Sequence, residues 1–160
     1  MVTKTTILAL RTLIHIARNG AGRILAVRDV ATELNESPTY TAKLARQLVK
    51  AGILRSDRGA QGGVYLARQP RAITLLEIVR ACQGEIVGDY CQTGCPPQTI
   101  CSFHQAALEL EQAIVDVLGR WDLEQLMKHP FATHGRRDLP CVMAKSVQLR
   151  REPGGASARV

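Results

Sequence analysis

The sequence of 160 residues has no apolar run approaching the roughly 20 residues that a membrane-spanning helix needs. No membrane role is therefore expected. The opening stretch, MVTKTTILALRTLIHIARNG, is partly apolar, but Arg11, His15 and Arg18 interrupt it and no small-residue cleavage site follows. It reads as a soluble amphipathic helix rather than an export signal, and a cytoplasmic protein is expected. There is also no room for a second large domain, whereas a hydrophobic content of 46% suffices for one real core. Acidic residues are scarce early on: residues 1–71 hold four Asp/Glu against twelve Lys/Arg. Residues 72–133 reverse the balance with eight against three, and residues 134–160 are basic again, within a net charge of +7. A merely solvated basic surface would give the same count, but only the first segment looks built for a polyanion.

Apolar residues 7, 10, 14 and 17, flanked by 8, 13 and 16, predict a core helix over residues 3–18. Lys4, Arg11, His15 and Arg18 would share its solvent face, with Asn19-Gly20 ending it in a left-handed cap. Residues 27–34, VRDVATEL, predict a short helix facing inward through Val27, Val30, Ala31 and Leu34. Asn35-Glu36 then supplies a tight turn, Ser37 an N-cap and Pro38 a first helical residue for a helix reaching about Lys50. Two short helices about a tight turn make a helix-turn-helix. Leu44, Ala45 and Leu48 of the second helix point inward. Ser37, Thr39, Tyr40, Lys43, Arg46, Gln47 and Lys50 are left as a polar face offering hydrogen bonds to base edges and cations to phosphates.

Two β-prone runs, Gly52-Ile53-Leu54 and Val64-Tyr65-Leu66-Ala67, flank the Gly-rich RSDRGAQGG and predict a hairpin, or wing, with Arg58 and Gln61 near its tip. Its glycines are not a phosphate-binding loop, because no Lys-Ser/Thr follows and no helix opens there. Residues 73–83, ITLLEIVRACQ, predict another amphipathic helix, with Cys82 as a small buried hydrophobe.

Five cysteines in a chain read as cytoplasmic point to metal or redox chemistry rather than disulfides. Residues 91–104, CQTGCPPQTICSFH, bring together Cys91, Cys95, Cys101 and His104, a set suited to a metal centre; Gly94, Pro96 and Pro97 exclude a regular helix there. Tetrahedral zinc on three thiolates and an imidazole fits the same set, as does a thiol switch without metal. An enzyme using a cysteine nucleophile with His104 as base fits poorly, since no Asp or Asn orienter stands nearby. Beyond this segment, a helix is predicted from about Thr99 to Trp121. Phe103, Ala107, Leu110, Ile114, Val117 and Trp121 recur along it at spacings of four, three, four, three and four, the narrow stripe of a helix with a partner helix. One or two further helical turns, residues 122–127, pack back through Leu123 and Leu126. Residues 134–160 predict a basic, largely disordered tail that contains Cys141.

Together LRTLIHIA, VRDVATEL, SPTYTAKLARQLVKAGIL, RGAQGGVYLA, ITLLEIVRAC and the three-cysteine segment make the chain resemble the IscR/NsrR/RirA/CymR family of bacterial winged-helix transcription regulators over residues 3–126. The cysteines point to its iron–sulfur members. This resemblance implies a mainly α fold with a small β wing, a winged helix-turn-helix with a long dimerisation helix. It also implies a homodimer on palindromic promoter DNA, expected to repress, whose affinity is tuned by an iron–sulfur cluster sensing redox state, nitric oxide or cluster supply. The family's three cysteine ligands match Cys91, Cys95 and Cys101, and a Cys-x-x-His pattern matches Cys101 to His104. The acidic first-helix ligand of the NsrR branch falls on Ile7, which cannot ligate. Three residues separate Cys91 from Cys95, fewer than is usual in the family, so the ligand set and cluster type stay open, with [2Fe-2S] favoured over [4Fe-4S]. The expected division is a DNA-binding domain over 1–83, a cluster loop over 84–104, a dimerisation helix and packing turn over 99–133, and the tail.

Overall fold

A computed structural model describes residues 3–20, 23–59, 62–86 and 101–128. Helix α1, Lys4–Gly20, runs through the centre and meets α2, Val27–Glu33, α3, Pro38–Lys50, and α4, Leu75–Gln83. Leu8, Ala9, Leu10, Leu13, Ile14 and Ile16 of α1 join Val30, Leu34, Leu44, Leu48, Ile53, Ile73 and Ile78 in one core. The burial is wider than the predicted stripe. Thr6, Arg11 and Thr12 are buried too, because α2 and α3 cover the side on which Arg11 and His15 were expected to face solvent. Only Lys4 and Arg18 of the four basic residues are exposed. The predicted stop at Asn19-Gly20 is also corrected: the helix runs through Gly20, and neither residue has positive φ.

Between α2 and α3, Asn35 takes φ 52°, which its short polar side chain tolerates. The Ser37 hydroxyl caps α3 by accepting from Tyr40 N, with Pro38 at the first helical position. At the far end, Gly52 N donates to Val49 O and Ile53 N to Leu48 O, while Gly52 has φ 69°. These bonds form a Schellman cap, completed by burial of Ile53.

That cap shifts the hairpin. Its strands are β1, Leu54–Asp57, and β2, Gly63–Leu66, paired antiparallel with Leu54 opposite Leu66 and Asp57 opposite Gly63. The predicted first strand lay two residues too early, because Gly52 and Ile53 are spent on ending α3, and polar Arg55, Ser56 and Asp57 form an exposed ladder edge instead. Leu25 and Val64 exchange both backbone hydrogen bonds and add a one-residue third strand. Glycine is required at 63, since a Cβ there would collide with the Leu25 carbonyl.

A capping box opens α4: the Thr74 hydroxyl accepts from Glu77 N while the Glu77 carboxylate accepts from Thr74 N. Burial pushes the Glu77 carboxyl up, but the Thr74 hydrogen bonds and the Arg68 guanidinium together hold it below its ordinary range. Helix α5, Ser102–Arg120, follows, then α6, Leu123–Lys128. Their junction is tied to the domain where Leu75 N donates to Trp121 O and Leu123 N to Ile73 O, and Leu123 is fully buried. The predicted helix from Thr99 to Trp121 is shorter: Cys101 is an extended N-cap that spends its thiol on the helix start, and Trp121 an extended C-cap beyond Arg120. Residues 99–100 lie outside the described residues, as does the 134–160 tail.

Candidate DNA-reading surface and metal-ligating segment

The buried side of α3 is Thr41, Leu44, Ala45 and Leu48. Its other side is a shallow concave surface lined by Ser37, Thr39, Tyr40, Lys43, Arg46, Gln47 and Lys50, all but half-buried Gln47 exposed. No acidic side chain stands on α3. Arg46 Nε donates to Ala42 O, which leaves the rest of its guanidinium outward. On the hairpin, Arg55 and Arg58 are exposed; Gln61 lies outside the described residues. The arrangement is a row of cations and hydrogen-bonding groups on one helix, flanked by a two-stranded arm, as groove recognition with phosphate contacts requires.

Sequence periodicity missed what supports this surface. Arg11, 6% exposed, donates from Nη1 to Glu36 Oε1 and from Nη2 to Leu34 O, so a side chain of α1 grips both sides of the Asn35 turn. Charged spacing on α1 gave no signal of it, because the partner is 25 residues away. One turn on, His15 is within 3.6 Å of Glu33 and 3.1 Å of the Asn19 amide. Burial holds its imidazole below the ordinary value against the opposing pull of the Glu33 carboxylate.

Of the four candidate metal ligands, Cys91 and Cys95 lie outside the described residues. Cys101 is exposed at the N-cap of α5, where its Sγ accepts from His104 N at 3.4 Å. His104 Nδ1 is buried without a hydrogen-bond partner among the described residues. A buried ring nitrogen left without a partner suits a ligand role, and the thiol and imidazole share one helical turn, so these two residues fit a soft metal or iron–sulfur centre. Among the described residues no group of three or more potential ligands comes together. Cys82 is different: it packs half-buried against the core, and burial pushes its thiol up to about 11.

The apolar stripe of α5 stands largely uncovered. Phe103, Leu110, Val117 and Trp121 are 65%, 57%, 45% and 48% exposed, whereas Ala107 and Ile114 are half-buried and no residue of this helix of 19 is fully buried. None of the described helices is long and apolar enough to cross a membrane.

Comparison with known proteins gives this arrangement its context. The Rrf2 family model, described as iron-dependent transcriptional regulator, matches residues 2–129. The HTH-type transcriptional regulator NsrR of Bacillus licheniformis is 25% identical over 130 residues, covering 79% of this chain and 91% of that protein. Among solved structures, CymR of B. subtilis, described as the global cysteine regulator, superposes with a TM-score of 0.63 at 26% identity over 80% of this chain and 96% of its own. IscR of T. potens superposes with a TM-score of 0.62 at 25% identity, over 80% and 86%. A helix-turn-helix with a hairpin arm, matched across most of its length by that family, makes this chain a member of the Rrf2 family of winged-helix transcription regulators.

Proposed function

We propose that the chain is a homodimeric repressor, acting in the cytoplasm, whose grip on a palindromic operator is set by an iron–sulfur cluster, [2Fe-2S] in preference to [4Fe-4S]. As an Rrf2 regulator it is not an enzyme, which removes the cysteine-nucleophile reading. Operator contact is assigned to the α3 face from Ser37 to Lys50, with Arg58 on the arm and Gln61 as a further contact residue. Cys91, Cys95, Cys101 and His104 would hold the cluster. The observation that carries the reading is the buried His104 Nδ1, which has no hydrogen-bond partner among the described residues, one turn from an exposed Cys101 thiol.

When bound, such a centre supplies a site that changes charge or falls apart on meeting oxidants or nitric oxide, and an imidazole in place of one thiolate raises its reduction potential. The chain's own part is mechanical. Cys101 and His104 occupy the first turn of α5, so whatever holds or frees them acts on the start of the helix with the exposed apolar stripe. Phe103, Ala107, Leu110, Ile114, Val117 and Trp121 supply the seam on which a second copy packs. Because the other end of α5 is hydrogen-bonded to the mouth of α4, a change at that seam bears on the angle between the two reading heads.

A second reading is a regulator of the same fold that uses its thiols, or zinc, without iron; the likeness to CymR, described as a cysteine regulator, supports the thiol form. Anaerobic purification followed by a visible spectrum and iron, sulfide and zinc analysis separates the two. Colour with stoichiometric iron and sulfide, lost in Cys101→Ala and labile in His104→Ala, is expected. Colourless protein holding stoichiometric zinc, or no metal at all, would exclude the cluster.

A further inference from the structure

The first turn of α1 touches two elements far away in sequence. Thr5 Oγ1 and Tyr40 OH lie 2.5 Å apart. The adjacent Thr6, fully buried, accepts at Oγ1 from Gln83 Nε2 at 2.5 Å, and its backbone N–H and hydroxyl each lie 3.4 Å from Thr3 Oγ1. Thr5 is thus carried on a turn anchored by the last residue of α4, and its hydroxyl meets the phenol of α3.

Tyr40 is the third residue of α3, is 39% exposed, and shares its face with Thr39 and Lys43. The first residues of the second helix in a helix-turn-helix are those that approach base edges. An exposed phenol without a protein partner exchanges hydrogen bonds with water and samples several orientations. One bond to a fixed hydroxyl selects an orientation, and the phenol keeps hydrogen-bonding capacity for a second partner. Ordering the side chain before docking lowers the entropy lost on binding and limits which base atom the phenol can reach.

We propose that Thr5, which lies outside the helix-turn-helix, is a positioning residue for operator discrimination, acting through its hydrogen bond to Tyr40. The inference rests on α3 being the reading helix. It does not require Thr5 to touch DNA, and it is independent of what residues 91–104 bind.

The test uses the full chain, purified anaerobically, and a duplex that it selects from a random-sequence library. Binding is measured at one salt concentration to that duplex and to all its single-base-pair variants, for wild type, Thr5→Val, Thr5→Ser, Tyr40→Phe and the Thr5→Val/Tyr40→Phe double variant. Thr5 is only half-buried, so Thr5→Val is expected to fold, and Thr5→Ala serves as a second hydroxyl-free variant. Thr5→Val and Tyr40→Phe should lose discrimination at the same base pairs by about 3- to 10-fold, the weight of one hydrogen bond. The double variant should be no worse than the stronger single, Thr5→Ser should keep the wild-type profile, and the salt slope should not move. A Thr5→Val protein that weakens every duplex equally, shifts other base pairs, or adds its loss to that of Tyr40→Phe overturns the inference. So does a profile that neither residue affects. A wild type that selects no sequence at all overturns the reading of α3 as well, whereas a profile sensitive to Tyr40 alone overturns only the role of Thr5.

Discussion

Arg11 and Glu36 form an ion pair at 2.5 Å across the helix-turn-helix, with the Arg11 side chain 5% exposed and that of Glu36 32% exposed. Because Arg11 also donates to Leu34 O at 2.8 Å, one guanidinium spans the turn whose Asn35 adopts φ 52°. The angle between α2 and α3 is therefore set from α1 as well as from within the motif. The two halves of the pair are not equivalent, since the cation is buried and the carboxylate reaches water.

This asymmetry predicts unequal losses. Glu36→Ala strands a buried cation on a single carbonyl and should cost about 3 kcal/mol, at the low end for a broken buried pair. Arg11→Met removes the charge but keeps the apolar stem, so a smaller loss of about 1–2 kcal/mol is expected. Urea unfolding with an unchanged m-value measures both; a larger loss in Arg11→Met would contradict the assignment.

His15 gives a pH dependence with a definite sign. Its folded-state pKa lies below the ordinary 6.5, so the unfolded chain takes up the proton more readily. Stability from this site is complete above that value and declines as pH falls through it toward the folded-state pKa. Between pH 7 and pH 5, His15→Gln should lose less stability than wild type in matched urea titrations. Equal slopes would mean that the folded-state pKa is not lowered, the Glu33 carboxylate offsetting burial in full.

Of the two described thiols, Cys82 should be the slower to alkylate. A thiol at about 11 is deprotonated to about one part in a thousand at pH 8, and the side chain is half-buried, whereas Cys101 is exposed. Peptide mapping after iodoacetamide treatment of chelator-treated protein should find Cys101 modified before Cys82. Cys82→Ala should leave any visible spectrum unchanged.

Leu110 tests the assembly. At 57% exposure in the protomer, a charge there is tolerated by the isolated fold, but it cannot be buried against a second copy without a partner. Leu110→Asp should sediment as a folded monomer with an unchanged helical spectrum where wild type sediments as a dimer. A wild type monomeric at micromolar concentration would remove the seam from consideration.

If α3 is the reading helix, DNA affinity should fall steeply with salt, since Lys43, Arg46, Lys50 and Arg58 are exposed cations on or beside it. Replacing any one of them by Ala should weaken binding nearly uniformly across sequences and flatten the slope of log K against log salt by about one unit for each phosphate left without its cation. An unchanged slope in all four variants would place the phosphate-binding cations elsewhere.

Signals within a few residues were legible in the chain itself. Asn35 and Ser37-Pro38 mark a turn and a helix start whose hydrogen bonds close locally, and the inward set Leu44, Ala45 and Leu48 follows from helical period alone. The stripe from Phe103 to Val117 could be read because its spacing is a property of one helix, whereas Trp121 falls just beyond the end of α5. Where the local reading erred, a competing local device or a remote neighbour prevailed. Ala51-Gly52-Ile53 serves the end of α3 rather than the start of a strand, and Gly20 stays helical.

Only tertiary packing decided which groups meet across the chain. The same polar spacing on α1 would suit a solvent-facing Arg11, and it is the docking of α2 and α3 that buries it against Glu36. Thr5 meets Tyr40 across 35 residues and Thr6 meets Gln83 across 77, pairings on which periodicity is silent because they depend on how helices cross rather than on how each one repeats. The sequence by itself determined the elements, their order and the family, since these rest on short-range hydrogen bonding, hydrophobic period and motif. The support behind α3 was decided by the fold, because burial and charge pairing are properties of surfaces brought together from distant parts of the chain.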